Sequence, residues 1–407
     1  MTSLTIQESD VKKGDEIIPS KDYEIRSIES WDDLPEVKQV LLRGIYAHGF
    51  ETPSPIQKKA IIPLFEGKDI IAQAQSGTGK TGCFTIGTLQ RINTEFKTTQ
   101  ALIMTPTREL SHQIKKVLDA IGTMIPNITS QLLVGGTSTD MDSEQLTKNT
   151  PHVVIGCPGR VHDMMRRKRL QVKDLKLIVM DEADEMLSHG FKEQVYNIFQ
   201  YLPTTVQVAL FSATMPNEIA KLTEKFMNDP VKILVKSEQL TLEGIEQYYV
   251  ALETDEHKYE ALKDLYGVLS LSQSIIYCNS VRRVEELYEA MITDNFPVCR
   301  IHSNMDKNER QVSFNEFASG KMRVLISSNV TARGIDVQQV STVINFDIPK
   351  CVNTYLHRIG RSGRWGRKGM GINFVTKRDI HSMKEIEQHY HTEIKELPAN
   401  VVNTVEA

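Results

Sequence analysis

The chain has 407 residues, 40% of them hydrophobic, enough to bury two ordinary cores, and two domains are expected rather than one. A net charge of −4 and an isoelectric point near 6.3 exclude a protein held on nucleic acid by a general basic field, so any such contact has to be local. No run approaches eighteen apolar residues, the start is not basic-then-apolar, and the five cysteines include no C-x-x-C pair; a membrane span, a secretory leader, a disulfide framework and a zinc site are all unexpected, and the protein reads as soluble and intracellular.

Residues 1–27 are polar and charged with no apolar period, and read as a tail, with order expected from near Trp31. An acidic turn after Ser30 leads into Val37, Val40, Leu41 and Ile45 at helical spacing. Gly49-Phe-Glu-Thr-Pro-Ser-Pro-Ile-Gln57 then forces an extended approach to a second helix through its prolines. From Ile70 onward, amphipathic stretches alternate with short apolar runs that begin at Ala101, Gln131, Val153, Leu177, Val206 and Val231. Such alternation predicts the α/β class, with right-handed βαβ units, a helix-covered parallel sheet and active groups at strand C-terminal ends. The polar stretch 236–244 interrupts the pattern as a linker, and new runs follow from Ile245, Ser274, Val298, Val324, Thr342 and Gly371. The expected units are therefore 28–235 and 245–395, with 396–407 as a second tail.

The first apolar run opens onto Ala74-Gln-Ser-Gly-Thr-Gly-Lys-Thr81. Phosphates need closely approaching backbone N–H groups, which Ser76, Gly77, Thr78 and Gly79 can offer, a cation, which Lys80 supplies, and a hydroxyl for Mg²⁺, which Thr81 supplies. That is a P-loop, with Ala74 where the first glycine of the pattern usually stands. Asp181-Glu182-Ala183-Asp184 follows the run at Leu177; Asp181 suits the metal and Glu182 an attacking water, the alternative being an acidic helix start that complements the dipole. A buried amide at Gln57 suits the edge of adenine, against an exposed glutamine at a helix start. The second half carries no P-loop, so Arg361 and Arg364, three apart in a glycine-rich turn, would act on ATP across a cleft, or else form a solvated basic turn.

Asp181-Glu-Ala-Asp184, Ser212-Ala-Thr214, Pro106-Thr-Arg-Glu-Leu110 and His357-Arg-Ile-Gly-Arg-Ser-Gly-Arg364 resemble the DEAD-box RNA helicase family, in the family's order from about Trp31 to Phe374. Within it the chain looks like the translation-initiation factor four-A group and its nuclear exon-junction relative. The resemblance implies two tandem RecA-like parallel-sheet domains joined by a short linker, closing on ATP, Mg²⁺ and single-stranded RNA and separating short duplexes locally. It implies a monomer assisted by scaffold proteins, in the cytoplasm or alternatively the nucleus, with an ATP-gated RNA clamp as the rival to the helicase. By resemblance Gln57 reads adenine, Phe50 stacks on it, Trp31 takes the place of an isolated Phe, and Asp336 contacts the ribose. Arg361 and Arg364 reach the γ-phosphate, while Asp184, Ser212, Thr214 and His357 couple the ATP and RNA sides. The RNA backbone would meet Pro106, Thr107, Arg108, Gly135, Gly136, Pro158, Gly159 and Arg160 on the first domain, and Asn279 and Arg333 on the second. Three departures stand out: Cys157 for a threonine that commonly donates to an RNA phosphate, Ser303-Asn304 for Gly-Asp, and Ser327-Ser-Asn329 for Thr-Thr-Asp.

Overall fold

The computed structural model describes residues 23–74, 77–188, 190–234, 245–268, 273–329, 340–362 and 369–398. The apolar runs become strands because Val, Ile and Leu fill both faces of a pleated sheet without polar side chains to satisfy. In the first half these are β1 (Ile70–Gln73), β2 (Ala101–Met104), β3 (Ser130–Leu133), β4 (Val153–Gly156), β5 (Leu177–Asp181), β6 (Gln207–Ser212) and β7 (Val231–Leu234). In the second they are β8 (Ile245–Ala251), β9 (Ser274–Tyr277), β10 (Val298–Ile301), β11 (Val324–Ser327), β12 (Thr342–Asn345), β13 (Gly369–Val375) and β14 (Lys395–Glu396). Each set forms its own seven-stranded sheet, ordered β3-β4-β2-β5-β6-β1-β7 and β10-β11-β9-β12-β13-β8-β14, and every pairing is parallel.

Alternate residues of one strand feed opposite cores, as the pleat requires. Ile70, Ala72, Leu177 and Val179 join the core on one face of the first sheet, and Ile71, Ile178 and Met180 join the other. Ile275 and Tyr277 are separated from Ile276 and Cys278 in the same way in the second. All five cysteines are free thiols, four of them buried. No helix among the described residues is long and apolar enough to cross a membrane.

Two boundaries differ from expectation. Ordered packing precedes Trp31: Tyr23 donates to Glu66 at 2.6 Å, Arg26 ion-pairs with Glu66, and Ile28, buried, bonds Lys58 through its backbone. At the other end β14 reaches Glu396, pairing with β8 where a tail was expected from 396; a two-residue strand of charged residues carries no apolar pattern to read. The linker 236–244 lies outside the described residues.

The strand orders decide where the chemistry falls. β5, β6 and β1 are neighbours, so Asp181, Ser212 and the P-loop share one stretch of the C-terminal edge, while β2, β4 and β3 carry Pro106, Pro158 and Gly135 to the adjoining stretch. The two halves meet over this edge. Arg310, on the helix Lys307–Ala318, grips Glu109, on the helix Arg108–Gly122, through Nε at 3.0 Å and Nη2 at 3.1 Å.

Candidate ATP and RNA site

Gly79 has φ 99°, and a Cβ there would stand 2.5 Å from Ser54 Oγ and 3.0 Å from Gln57 Nε2. The position therefore needs glycine for both its conformation and its space. The loop is pressed against the helix Pro55–Phe65, whose Gln57 accepts from Ser54 N at 2.7 Å and donates to Gly79 O at 3.0 Å. One N–H and one lone pair of that amide are left for a ligand. Phe50, half-buried, lies against the helix Lys80–Arg91, where a Cβ on Gly82 would come within 2.7 Å of its ring.

The expectation that Trp31 contacts the base is corrected. Its ring is fully buried and stacks behind Phe50, centroids 6.3 Å apart at 21°, so it acts on a base only by holding Phe50. The cause is the capped turn Trp31–Asp33, with Ser30 as N-cap, which points the indole into the core.

Lys80 is 5% exposed, with Nζ 3.5 Å from Glu182 Oε1 and 3.9 Å from Asp181 Oδ1, and no hydrogen-bond partner at Nζ among the described residues. Burial pushes the Asp181 carboxyl up to about 7; Lys80 opposes that rise and Glu182 adds to it. Glu182 takes φ 53°, a left-handed backbone that costs a non-glycine residue roughly 1–3 kcal/mol, and its N–H donates to Asp181 Oδ1 at 3.0 Å. A buried ammonium with no hydrogen-bond partner among the described residues, a loop with no room for a side chain at Gly79 and hard carboxylate oxygens fit a nucleoside triphosphate carrying Mg²⁺. Ser76 lies outside the described residues.

Asp184 gathers both halves. Thr214 Oγ1 donates to its Oδ2 at 2.7 Å, Ser212 Oγ donates to Thr214 O at 2.7 Å, and His357 Nε2, from the second half, lies 3.4 Å from the same Oδ2. Arg361 is buried, donating through Nε to His357 O at 3.1 Å. Arg364, Arg333 and Asp336 lie outside the described residues.

On the adjoining stretch Thr107 caps its helix by accepting from Leu110 N at 3.3 Å, and Arg108 is half-buried beside it. Pro106 and Pro158 are buried, while Gly135, Gly136 and Gly159 are exposed. Arg160 and Asn279 are each partly engaged within the protein while keeping donors for a ligand. Arg160 ion-pairs with Asp142 and donates to Thr137 Oγ1 at 2.7 Å and Thr137 O at 2.9 Å. Asn279 donates to Ile348 O at 2.7 Å and accepts from Arg358 Nη2 at 2.8 Å.

Sequence reasoning missed Ser54, Gly82, the Glu109–Arg310 bridge and Arg358. Gly82 had a signal, since glycine inside a helix is costly and marks a close approach. The bridge and the Arg358 contacts had none, as their partners are distant in sequence.

A phosphate loop and acid pair on one parallel sheet, met by a helix bearing His357 from a second sheet, define a two-part P-loop nucleotide hydrolase. The sequence matches the DEAD/DEAH box helicase family over residues 54–222 and the helicase conserved C-terminal domain over residues 257–366, and the chain belongs to this family of ATP-dependent RNA helicases. It is 52% identical to the ATP-dependent RNA helicase eIF4A of Pyricularia oryzae, over 97% of this chain and 99% of that protein. S. cerevisiae Dbp5 bound to RNA and ADP BeF3 is similar at a TM-score of 0.85 and 34% identity, covering 93% of this chain and 98% of that one. A Dbp5 variant bound to Nup159, a Gle1 variant, IP6 and ADP reaches only 0.64 at the same 34% identity, covering 91% and 97%. The two halves here thus stand in the relation they take in the RNA-bound chain.

Proposed function

We propose that the chain hydrolyses ATP as its halves close on single-stranded RNA, separating short duplexes locally during translation initiation, with the units divided at 236–244. The observation that carries this reading is Asp184, one carboxylate hydrogen-bonded by Thr214 of the first half with His357 of the second 3.4 Å away. A change at the phosphates is thereby felt by both halves, and each ligand raises the affinity of the other.

Lys80 and the backbone of Gly77, Thr78 and Gly79 bind the phosphates. Gln57 reads adenine and Phe50 stacks on it. Thr81 and Asp181 would hold Mg²⁺, which when bound neutralises phosphate charge. Glu182 polarises the attacking water, and Arg361 with Arg364 stabilises charge on the transferring phosphoryl. Asp336 is assigned to the ribose and Arg333 to RNA. Thr107, Arg108, Gly135, Gly136, Gly159, Arg160 and Asn279 meet the RNA backbone without reading sequence, Arg160 and Asn279 bracing their loops with the donors already engaged.

The initiation role, and with it a cytoplasmic location, is supported by relatives such as those of Pyricularia oryzae and Coccidioides immitis, which carry the eIF4A name. The chain is assigned as a monomer; partner proteins for it are supported by Dbp5 structures that contain Gle1 and Nup159. The test is steady-state ATP turnover with no nucleic acid, with RNA and with same-sequence DNA, for the wild type and Glu182→Gln. Stimulation by RNA alone, lost in the variant, is expected; near-normal turnover in Glu182→Gln would overturn the assignment.

A further inference from the structure

We propose that Arg358 is a positioning residue for the ATP site, acting through the helix Val352–Ile359, and that Asn329 sets how firmly it does so. This rests on the hydrolase reading of the site and adds to it a residue that touches neither ATP nor RNA.

Arg358 sits on the buried stripe of its helix beside Tyr355 and Ile359 and is fully buried. A guanidinium has five N–H groups, and here each has an acceptor. Nε donates to Asn329 Oδ1 at 3.0 Å, Nη1 to Asn345 Oδ1 at 3.1 Å and Asp347 O at 2.7 Å, and Nη2 to Asn279 Oδ1 at 2.8 Å and Asn329 Oδ1 at 2.6 Å. Its plane lies 5.2 Å from the Tyr277 ring centroid. Every acceptor is a neutral amide or peptide oxygen, and among the described residues no carboxylate lies within ion-pair distance. Asp347 turns its carboxylate elsewhere, to Lys258 at 3.1 Å and to Asn279 N at 3.0 Å. Burial accordingly pulls the guanidinium down to about 10.

The acceptors come from the ends of β11, β9 and β12, three adjacent strands of the second sheet. One side chain therefore pins the helix to the sheet edge at three points. His357, the preceding residue, reaches Asp184, and Arg361, three residues on, donates to the His357 carbonyl. Loosening the pin shifts both, and a charge-stabilising group out of place by about 1 Å forfeits much of its rate. Asn329 supplies two of the five bonds through a single oxygen and is itself exposed. A carboxylate there would meet the buried cation with one oxygen and keep the other in water, exchanging two bonds from the cation to a neutral amide oxygen for bonds to an opposite charge.

The experiment compares wild type, Asn329→Ala, Asn329→Asp and Glu182→Gln for kcat at saturating RNA and ATP, KM for ATP, and urea unfolding. We expect Asn329→Ala to lower kcat roughly three- to tenfold and Asn329→Asp to raise it, with KM for ATP changed less than about twofold in both. A shifted urea midpoint with kcat unmoved in both Asn329 variants makes the cradle merely structural and overturns the proposal, as does a lowered kcat in Asn329→Asp. Should Glu182→Gln turn over like wild type, the hydrolase reading fails and this proposal with it; if Glu182→Gln is dead while the Asn329 variants match wild type, this proposal alone fails.

Discussion

Lys80 and Arg358 are buried cations at the C-terminal edges of the two sheets, and they are held in opposite ways. Around Lys80 stand two carboxylates, 3.5 and 3.9 Å away, and among the described residues no hydrogen bond reaches Nζ. Around Arg358 no carboxylate among the described residues lies within ion-pair distance, yet all five N–H groups are bonded at 2.6–3.1 Å. A charge with long-range partners and open bonding capacity is ready to exchange them for an anionic ligand, whereas a charge whose donors are all satisfied has nothing to gain by moving. The first region is built for turnover and the second for register.

The comparison breaks most sharply if substitutions in the two regions have interchangeable effects. Glu182→Gln keeps the side-chain volume but cannot polarise water, so kcat should fall roughly 10²- to 10⁴-fold with ATP affinity largely retained, as nucleotide binding and turnover measured together will show. Lys80→Ala should instead weaken ATP binding itself, through loss of the point charge. In the second region Arg358→Met keeps length and removes every donor, stranding Asn345 Oδ1 and the Asp347 carbonyl, and should cost about 3 kcal/mol in urea unfolding. A stable Arg358→Met protein that has lost only turnover would place both cations in one category.

What the sequence made legible follows the same division. Strands such as Leu177–Asp181 are readable because a parallel sheet buries both faces and leaves an unbroken apolar run. The P-loop is readable because phosphate binding demands glycine and lysine at fixed spacing. Arg358 stands inside a motif rich in arginines, and nothing local distinguishes it from Arg361; its acceptors at 279, 329 and 345 come together only when β11, β9 and β12 align. The ion pair of Arg160 with Asp142, on the helix Thr139–Lys148, was hidden for the same reason, its partner lying 18 residues away in the chain. Trp31 was located correctly in the chain and misplaced in space, because its burial depends on how a three-residue turn is capped.

Smaller effects sharpen the picture between the two regions. Arg310 and Glu109 join the halves with side chains 17% and 14% exposed, a partly desolvated ion pair with one hydrogen bond, from Nη2, that ordinary surface screening discounts only in part. Arg310→Ala should reduce the factor by which a non-hydrolysable ATP analogue tightens RNA binding by roughly fivefold or more, about 1–2 kcal/mol of coupling, while ATP affinity without RNA stays within twofold. Gly82→Ala would thrust a methyl to 2.7 Å from both Phe50 Cε2 and Gln57 Nε2. Displacing them strains the Gln57 bond to Gly79 O and shifts the Phe50 ring, so about 1 kcal/mol or more should appear chiefly as weaker adenine-nucleotide binding; equal losses for ATP and an inosine nucleotide would detach Gln57 from base recognition.

The smallest expected effect concerns Cys157, whose missing hydroxyl suggests a lost RNA contact. The structure gives the position another task. Cys157 is 9% exposed, with Sγ 3.8 Å from Ser111 Oγ, and burial pushes its thiol up to about 11, so it stays protonated at neutral pH. It is the N-cap of the helix Pro158–Arg166, extended at φ −88° and ψ 143°, and makes no side-chain capping bond. Pro158 brings no N–H, so a threonine hydroxyl here would accept from the N–H groups of Gly159 or Arg160, turned into its own helix and away from solvent. A new cap stabilises by about 0.5–1 kcal/mol, less whatever its extra methyl costs against Thr105 and Ser111. Cys157→Thr should therefore raise the urea midpoint slightly and leave RNA affinity within about twofold, measured with ATP analogue present. A gain in RNA affinity near tenfold without added stability would mean the hydroxyl reaches a phosphate, returning this residue to the RNA-facing stretch.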